Sequence, residues 1–249
     1  MPPLIAIPEP VSNRTDYNQR ALPQYIQAIE KAGAKARIIL FSTPLTEAAH
    51  IMTECDAVLL PGSPADVDPQ KYQAAPDPRT AAADQARDAV DAALLRGCYE
   101  HRKPVLGICY GLQSLNVWRA GSLVQHIESR VNHEAGRTVL RAHRVEVAPF
   151  SRLAAILSSG GQSSALVADN GVLAEVNSSH HQAAADIGDG LRAVATCPDD
   201  GVIEAIEGTA PDHFVLAVQW HPERTTETEE SSRAIFRAFV QAAAGSNHH

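Results

Sequence analysis

The chain has 249 residues, 45% hydrophobic and 20% charged, enough for one large α/β domain or two small ones with a sizeable core. A formal net charge of −8 argues against a nucleic-acid binder, and no apolar run approaches the roughly 18 residues that a membrane span needs. Cys55, Cys98, Cys109 and Cys197 are widely spread with no CxxC pair, so free thiols are expected rather than a zinc ribbon or a disulfide scaffold.

The first segment, "MPPLIAIPEPV", lacks the basic region and long apolar stretch of a signal peptide, and a cytoplasmic location is expected. "LIAI" (4–7) reads as a short strand. In "ALPQYIQAIEKAGA" (21–34), Leu22, Tyr25, Ile26 and Ile29 recur at helical spacing, and Gly33 stands at the C-cap. "ARIILF" (36–41) and "AVLLPG" (57–62) read as buried strands, the second ended by Pro-Gly. "DQARDAVDAALLRGCYEHR" (84–102) is helical. Its Asp84, Arg87, Asp88 and Asp91 fall at i, i+3, i+4 and i+7, the pattern of a solvated, salt-bridged face. "PVLGIC" (104–109) is the next strand.

Strands alternating with helices imply crossovers and a parallel sheet covered on both faces. The second half changes character. "HRVEVAPF" (143–150) alternates as a half-exposed strand, and "LRAVATCPDDGVIEAIEG" (191–208) reads as two strands joined by a Pro-Asp-Asp-Gly turn. "FVLAVQWHPE" (214–223) is another apolar run, and "SSRAIFRAFVQAAA" (231–244) a closing helix. No repeat or linker stands out, so a single domain over 1–249 is expected, with 245–249 set aside as a candidate tag or tail.

The chemistry centres on Gly107-x-Cys109-x-Gly111, a nucleophile-elbow pattern with Cys in place of Ser. Cys109 ends an apolar strand and opens a helix, where the helix N-terminus favours the thiolate and its N–H groups can hold an oxyanion. A buried strand cysteine is the plainer alternative for this residue taken alone. A base is available in "AVQWHPE": His221 ends a strand, and Glu223, two residues on, points the same way on an extended segment. A carboxylate there fixes the imidazole tautomer and supports the imidazolium.

"GICYGLQSLN" together with "AVQWHPE" resembles the class I glutamine amidotransferase superfamily and, within it, the C26 group of γ-glutamyl hydrolases. "LLPGSPADVDPQKY" (59–72), "AGSLVQHI" (120–127), "VNSSHHQ" (176–182) and "PDDGVIEAIE" (198–207) resemble further family segments in the expected order. The resemblance implies a three-layer α/β fold: a mostly parallel central sheet with helices on both faces, a flavodoxin-like core, and a small antiparallel sheet. It implies Cys109 as nucleophile, His221 as general base and acid, and Glu223 as orienting carboxylate. It also implies an oxyanion hole from Gly62, Ser63 and the Tyr110 N–H. Gln113, Ser179, His180 and His181 are the expected substrate-binding residues.

The implied reaction is hydrolysis of the γ-glutamyl amide bond of a small γ-glutamyl-amine such as γ-glutamyl-GABA, through a γ-glutamyl thioester. The alternative is a glutaminase subunit that delivers ammonia to a separate synthase. A thioester route needs no ion, and no cofactor or metal is expected. Metal binding by His180 and His181 is disfavoured because adjacent residues on an extended segment point to opposite faces. His126, His133 and His143 are expected to be structural or solvated. The expected partners are the small substrate and a second copy in a homodimer, with no nucleic acid and no membrane. Tyr110 stands where many relatives carry Arg, which would take a charge from the pocket mouth.

Overall fold

The computed structural model describes residues 1–159, 166–168 and 171–245. In chain order its first half holds β1 (Leu4–Pro8), α1 (Thr15–Lys31), β2 (Lys35–Ile39), α2 (Leu45–Glu54), β3 (Ala57–Leu60), α3 (Gln85–Glu100), β4 (Val105–Ile108), α4 (Tyr110–Trp118) and β5 (Leu123–Val124). The second half holds β6 (His143–Val147), α5 (Arg152–Ser159), β7 (Leu166–Ala168), β8 (Gly171–Val176), β9 (Ala183–Ala184), β10 (Leu191–Thr196), β11 (Ile203–Gly208), β12 (Val215–Val218) and α6 (Glu230–Gly245).

Ten strands form one sheet in the order β2-β1-β3-β4-β12-β11-β10-β6-β8-β7. From β2 to β12 every pairing is parallel, and from β12 outward every pairing is antiparallel. β5 and β9 make a separate small antiparallel pair. The central strands read as unbroken apolar runs because both of their faces are covered. Ile5 and Ile7, Ala57 and Leu59, Leu106 and Ile108, and Leu216 and Val218 face the layer of α1, α5 and α6. Ala6, Val58 and Leu60, Val105, and Val215 and Ala217 face α2, α3 and α4. The period of two along each strand thus feeds two cores.

The sequence reading located the central strands but missed α2, α5 and β8. The two helices are only 10 and 8 residues long, shorter than the window over which a helical period is read from sequence. Helix α1 begins at Thr15 rather than at 21; its first turns are polar and carry no apolar period, and only Asn18 there is buried, bonded to both the N–H and the carbonyl of Val11.

The largest correction concerns α3. Its charged stripe is not solvated: Arg87 and Asp91 are each 0% exposed, and Asp84 and Asp88 are also buried. Arg87 Nε donates to Asp91 Oδ1 at 2.7 Å, and its terminal nitrogens donate to the carbonyls of Pro10 and Pro61, both at 2.7 Å. Those carbonyls follow the carboxyl ends of β1 and β3, where backbone leaves the ladder and needs other partners. The planar fork serves several acceptors at once, which a lysine could not do. Asp84 caps α3 at the Arg87 N–H and also accepts from Ser12.

Replacing Arg87 by Met should lower unfolding stability by about 3–5 kcal/mol, because it leaves Asp91 buried without its partner. Chemical denaturation measures this, and Arg87→Met/Asp91→Leu should recover part of the loss. A change under about 1 kcal/mol would show that the pair holds nothing together.

Candidate active site

Strand β4 delivers Cys109 to the carboxyl edge of the sheet, where open α/β sheets form their ligand crevices. Cys109 takes φ 53° and ψ −105° as the N-cap of α4, a strained conformation for a residue with a side chain. The flanking glycines permit it. A Cβ on Gly111 would lie 2.2 Å from the Leu60 carbonyl oxygen, and one on Gly107 would lie 2.8 Å from the Gly111 backbone. The Gly-x-Cys-x-Gly spacing therefore has a steric cause: α4 crosses directly over the ends of β3 and β4.

The second half of the site arrives on β12, whose Val218 pairs in parallel register with Ile108. The Cys109 N–H donates to the Val218 carbonyl at 2.8 Å, so the two segments leave the sheet together. His221 follows within the same edge. A Cβ on Gly62 would lie 2.9 Å from His221 Cε1 and 3.6 Å from Cys109 Cβ, so the imidazole and the cysteine stand against one wall. His221 Nδ1 lies 2.8 Å from Glu223 Oε1. A carboxylate only accepts, so Nδ1 carries the proton and Nε2 is left as the base.

The backbone of His221 is itself held. Asn177 Nδ2 donates to the His221 carbonyl at 2.8 Å, and the His221 N–H donates to Asn177 Oδ1 at 2.9 Å. This two-point clasp makes Asn177 a positioning residue that sequence reasoning missed, although it lies within the family-like segment "VNSSHHQ". Arg224 was also missed: its Nη1 donates to Ser179 Oγ at 2.8 Å, and its guanidinium lies beside Glu223.

The electrostatics revise one expectation. Burial pushes the Cys109 thiol up to about 12, while the Arg224 charge and the Tyr110 N–H pull the other way. Burial likewise pushes His221 below the ordinary histidine value, against the upward pull of Glu223. The resting pair is a thiol beside a neutral imidazole, and not the thiolate that the helix terminus alone suggested. Desolvation outweighs the dipole here. Glu223 stays ionised: burial works to raise it, but His221 and Arg224 hold it below the usual carboxylate range.

A cavity of about 170 Å³ opens over Cys109 and is also lined by Ser63, Gln113, Ser179, His180 and His181, with Asp66 and Gln182 among its other walls. Three expected roles change. The Gly62 N–H donates to Tyr25 Oη at 3.1 Å, so this amide is already committed, and the Ser63 N–H is the donor left on that turn. The Tyr110 side chain points away from the cavity, buried with its hydroxyl donating to Asp88 at 2.6 Å, and has no place at the mouth. His180 lines the cavity, yet both its ring nitrogens face protein: Nδ1 the Gln182 carbonyl at 2.9 Å, and Nε2 the Glu204 carboxylate at 3.6 Å. His181 faces the opposite way, bonded to Asp66 at 3.1 Å. Tyr25 and Asp66 gave no signal in the sequence, one being an aromatic on an apolar helix face and the other a loop carboxylate.

A buried cysteine on an elbow, a histidine with a carboxylate behind it, and an adjoining cavity on a parallel sheet are the parts of a hydrolytic enzyme. A sequence model of the peptidase C26 family matches residues 3–223, and the chain belongs to that family. A protein of Mycobacterium tuberculosis named as a candidate glutamine amidotransferase is 37% identical over 223 residues, covering 89% of this chain and 67% of the relative. The γ-glutamyl-γ-aminobutyrate hydrolase PuuD of Escherichia coli K12 is 32% identical over 232 residues, covering 88% and 84%. The crystal structure of a candidate GMP synthase component from Thermoplasma acidophilum superimposes with a TM-score of 0.63 at 16% identity, covering 98% of this chain and 96% of that one. That likeness concerns the fold.

Because burial holds His221 low, the acid limb of kcat/KM should fall below the ordinary histidine value of about 6.5. Glu223→Gln should move the limb lower still, since it removes the charge that pulls the imidazole up. A pH–rate profile of both proteins checks this, and an unmoved or raised limb in the variant would place the base elsewhere.

Proposed function

We propose that this C26-family hydrolase cleaves the γ-glutamyl amide bond of a small γ-glutamyl-amine such as γ-glutamyl-GABA, by way of a γ-glutamyl thioester on Cys109. The observation that carries the reading is a cavity-lining Cys109 with His221, backed by Glu223, standing beside it at Gly62, in a chain similar to the E. coli γ-glutamyl-γ-aminobutyrate hydrolase.

The Cys109 Sγ attacks the γ-carbonyl carbon as its proton passes to His221 Nε2, and Glu223 balances the imidazolium. The carbonyl oxygen takes up the electron pair and is held by the N–H groups of Tyr110 and Ser63. The C–N bond then breaks, the amine leaves with the proton from His221, and the acyl group remains on sulfur. Water, deprotonated by His221, attacks the thioester. Glutamate departs, and the proton returns to the thiol. The polar walls at Ser179, Gln113 and the His181–Asp66 pair suit the α-amino and α-carboxylate groups of a γ-glutamyl head.

Among the described residues no helix is long and apolar enough to cross a membrane. A second reading, a glutaminase that serves a separate synthase, is favoured by the name of the M. tuberculosis relative.

Cys109→Ala should abolish turnover without unfolding the protein, and His221→Ala should cost on the order of a thousandfold or more. Acid quenching should trap a γ-glutamyl adduct on the Cys109 peptide, absent in Cys109→Ala. Assays of the purified protein on γ-glutamyl-GABA and on free glutamine separate the two readings. Idleness on both until a synthase is added would favour the glutaminase, and an adduct on any other residue would remove Cys109 from the mechanism.

A further inference from the structure

Behind the cavity wall lies a cluster that the reaction does not use. His133, His143, His180 and Glu204 are all buried, and their potential ligand atoms lie within 4.8 Å of one another. Glu204 Oε1 is 3.3 Å from His133 Nδ1, 3.4 Å from His143 Nε2 and 3.6 Å from His180 Nε2. Among the described residues none of these atoms has a hydrogen-bond partner, and the second carboxylate oxygen has none either.

The opposite edge of each ring explains why. His143 Nδ1 faces the Arg144 carbonyl at 3.1 Å, and His180 Nδ1 faces the Gln182 carbonyl at 2.9 Å. His133 Nε2 faces Asp200 Oδ2 at 2.8 Å. Carbonyls and carboxylates only accept, so each of these nitrogens carries its ring's proton. In the neutral rings the inward nitrogens are then lone pairs, and all three are aimed at a carboxylate. Lone pairs facing a buried carboxylate repel. One added proton on His133 would relieve a single contact and leave His143 and His180 as they are. Relieving every contact with protons would place three imidazolium charges around one carboxylate out of water, a costly arrangement. One divalent cation satisfies all four groups.

We propose that His133, His143, His180 and Glu204 form a four-coordinate binding site for a divalent transition metal, zinc being the ion that this donor set fits best. At bond lengths of about 2.0–2.2 Å, tetrahedral ligand atoms stand roughly 3.3–3.5 Å apart, close to the three separations from Glu204. Three imidazoles and one carboxylate suit zinc's preference, and the outer partners Asp200, Arg144 and Gln182 fix each tautomer as they do around metal-bound histidines. A cleft of about 260 Å³, lined in part by Asn132, His133, Glu134 and His180, gives an entry path.

All four positions come from protein, so the site is structural and leaves the chemistry to Cys109. It ties four segments together. His143 stands on β6 and Glu204 on β11, while His133 and His180 belong to loops. Residues 125–142 hold neither helix nor strand, and a metal would pin that long loop to the sheet. His180 carries the tie into the cavity wall beside Ser179 and His181.

The test uses the full-length protein and reads metal rather than activity. After chelator stripping, cobalt(II) should bind one ion per chain and give the visible absorption bands of a four-coordinate ion, and zinc should displace it. His143→Ala and Glu204→Gln should lose these bands while keeping a folded circular-dichroism spectrum. Bands that persist in both folded variants, or wild-type protein that binds no cobalt or zinc, would overturn the proposal. Should either variant fail to fold, X-ray absorption of the zinc-loaded wild type decides. A first shell of about three imidazole nitrogens and one oxygen near 2.0–2.2 Å supports the site, and a shell without imidazole rejects it. This outcome is independent of whether γ-glutamyl amides are the substrate.

Discussion

The parallel pairing of β4 with β12 is the contact on which the rest of the site depends. Two segments far apart in sequence, one ending in Cys109 and the other leading to His221, run side by side and leave the sheet at the same edge. A slip of register there would turn every side chain of the strand to the other face, burying the wrong set and parting the two residues. The register is held from both sides, because Leu106, Ile108, Leu216 and Val218 enter one core while Val105, Val215 and Ala217 enter the other. The apolar packing that stabilises the sheet is thus also what positions Cys109 beside His221.

Around that edge the backbone runs out of ladder partners, and buried polar side chains replace them. Arg87 takes the carbonyls of Pro10 and Pro61, Tyr25 takes the Gly62 N–H, and Asn177 takes both backbone groups of His221. Arg87 and Tyr25 thus hold the turn that leads into Ser63 at the cavity, and Asn177 holds His221 in place. Catalytic machinery on loops needs such bracing, since a loop alone cannot keep a nucleophile and a base in fixed alignment. The same edge is dry, and dryness sets the protonation states. Burial pushes the Cys109 thiol up and the His221 imidazole down, so both favour their neutral forms. Glu223 stays ionised behind the ring, held below the usual carboxylate range by His221 and Arg224.

The histidines divide into two groups that share a segment. His180 and His181 are neighbours in the chain, but one turns inward to Glu204 and the other toward Asp66 at the cavity. The two rings turn to different sides, so they do not meet at one point, and spacing within the pair says nothing about what else His180 meets. The partners of His180 come from residues 133, 143 and 204, and no local spacing connects them. The one local hint is His143, which occupies an inward-facing position of an alternating strand where Val145 and Val147 follow.

What the sequence determined by itself was whatever has a local cause. The apolar runs of the central strands, the glycines around Cys109, and Glu223 two residues beyond His221 follow from sterics and from the period of an extended chain. From these came the α/β class and the candidate residues Cys109, His221 and Glu223. The tertiary structure decided everything that depends on which faces meet. The charged stripe of α3 has the spacing of a solvated helix, and only the packing of α3 over the strand ends makes Arg87 a buried clamp. Tyr110 turns from the cavity toward α3, where its ring lies under the Arg87 guanidinium and its hydroxyl meets Asp88. The protonation of Cys109 and the meeting of His133, His143, His180 and Glu204 depend on burial and on long-range assembly. Burial is a property of the assembled molecule, and no stretch of the chain carries it alone.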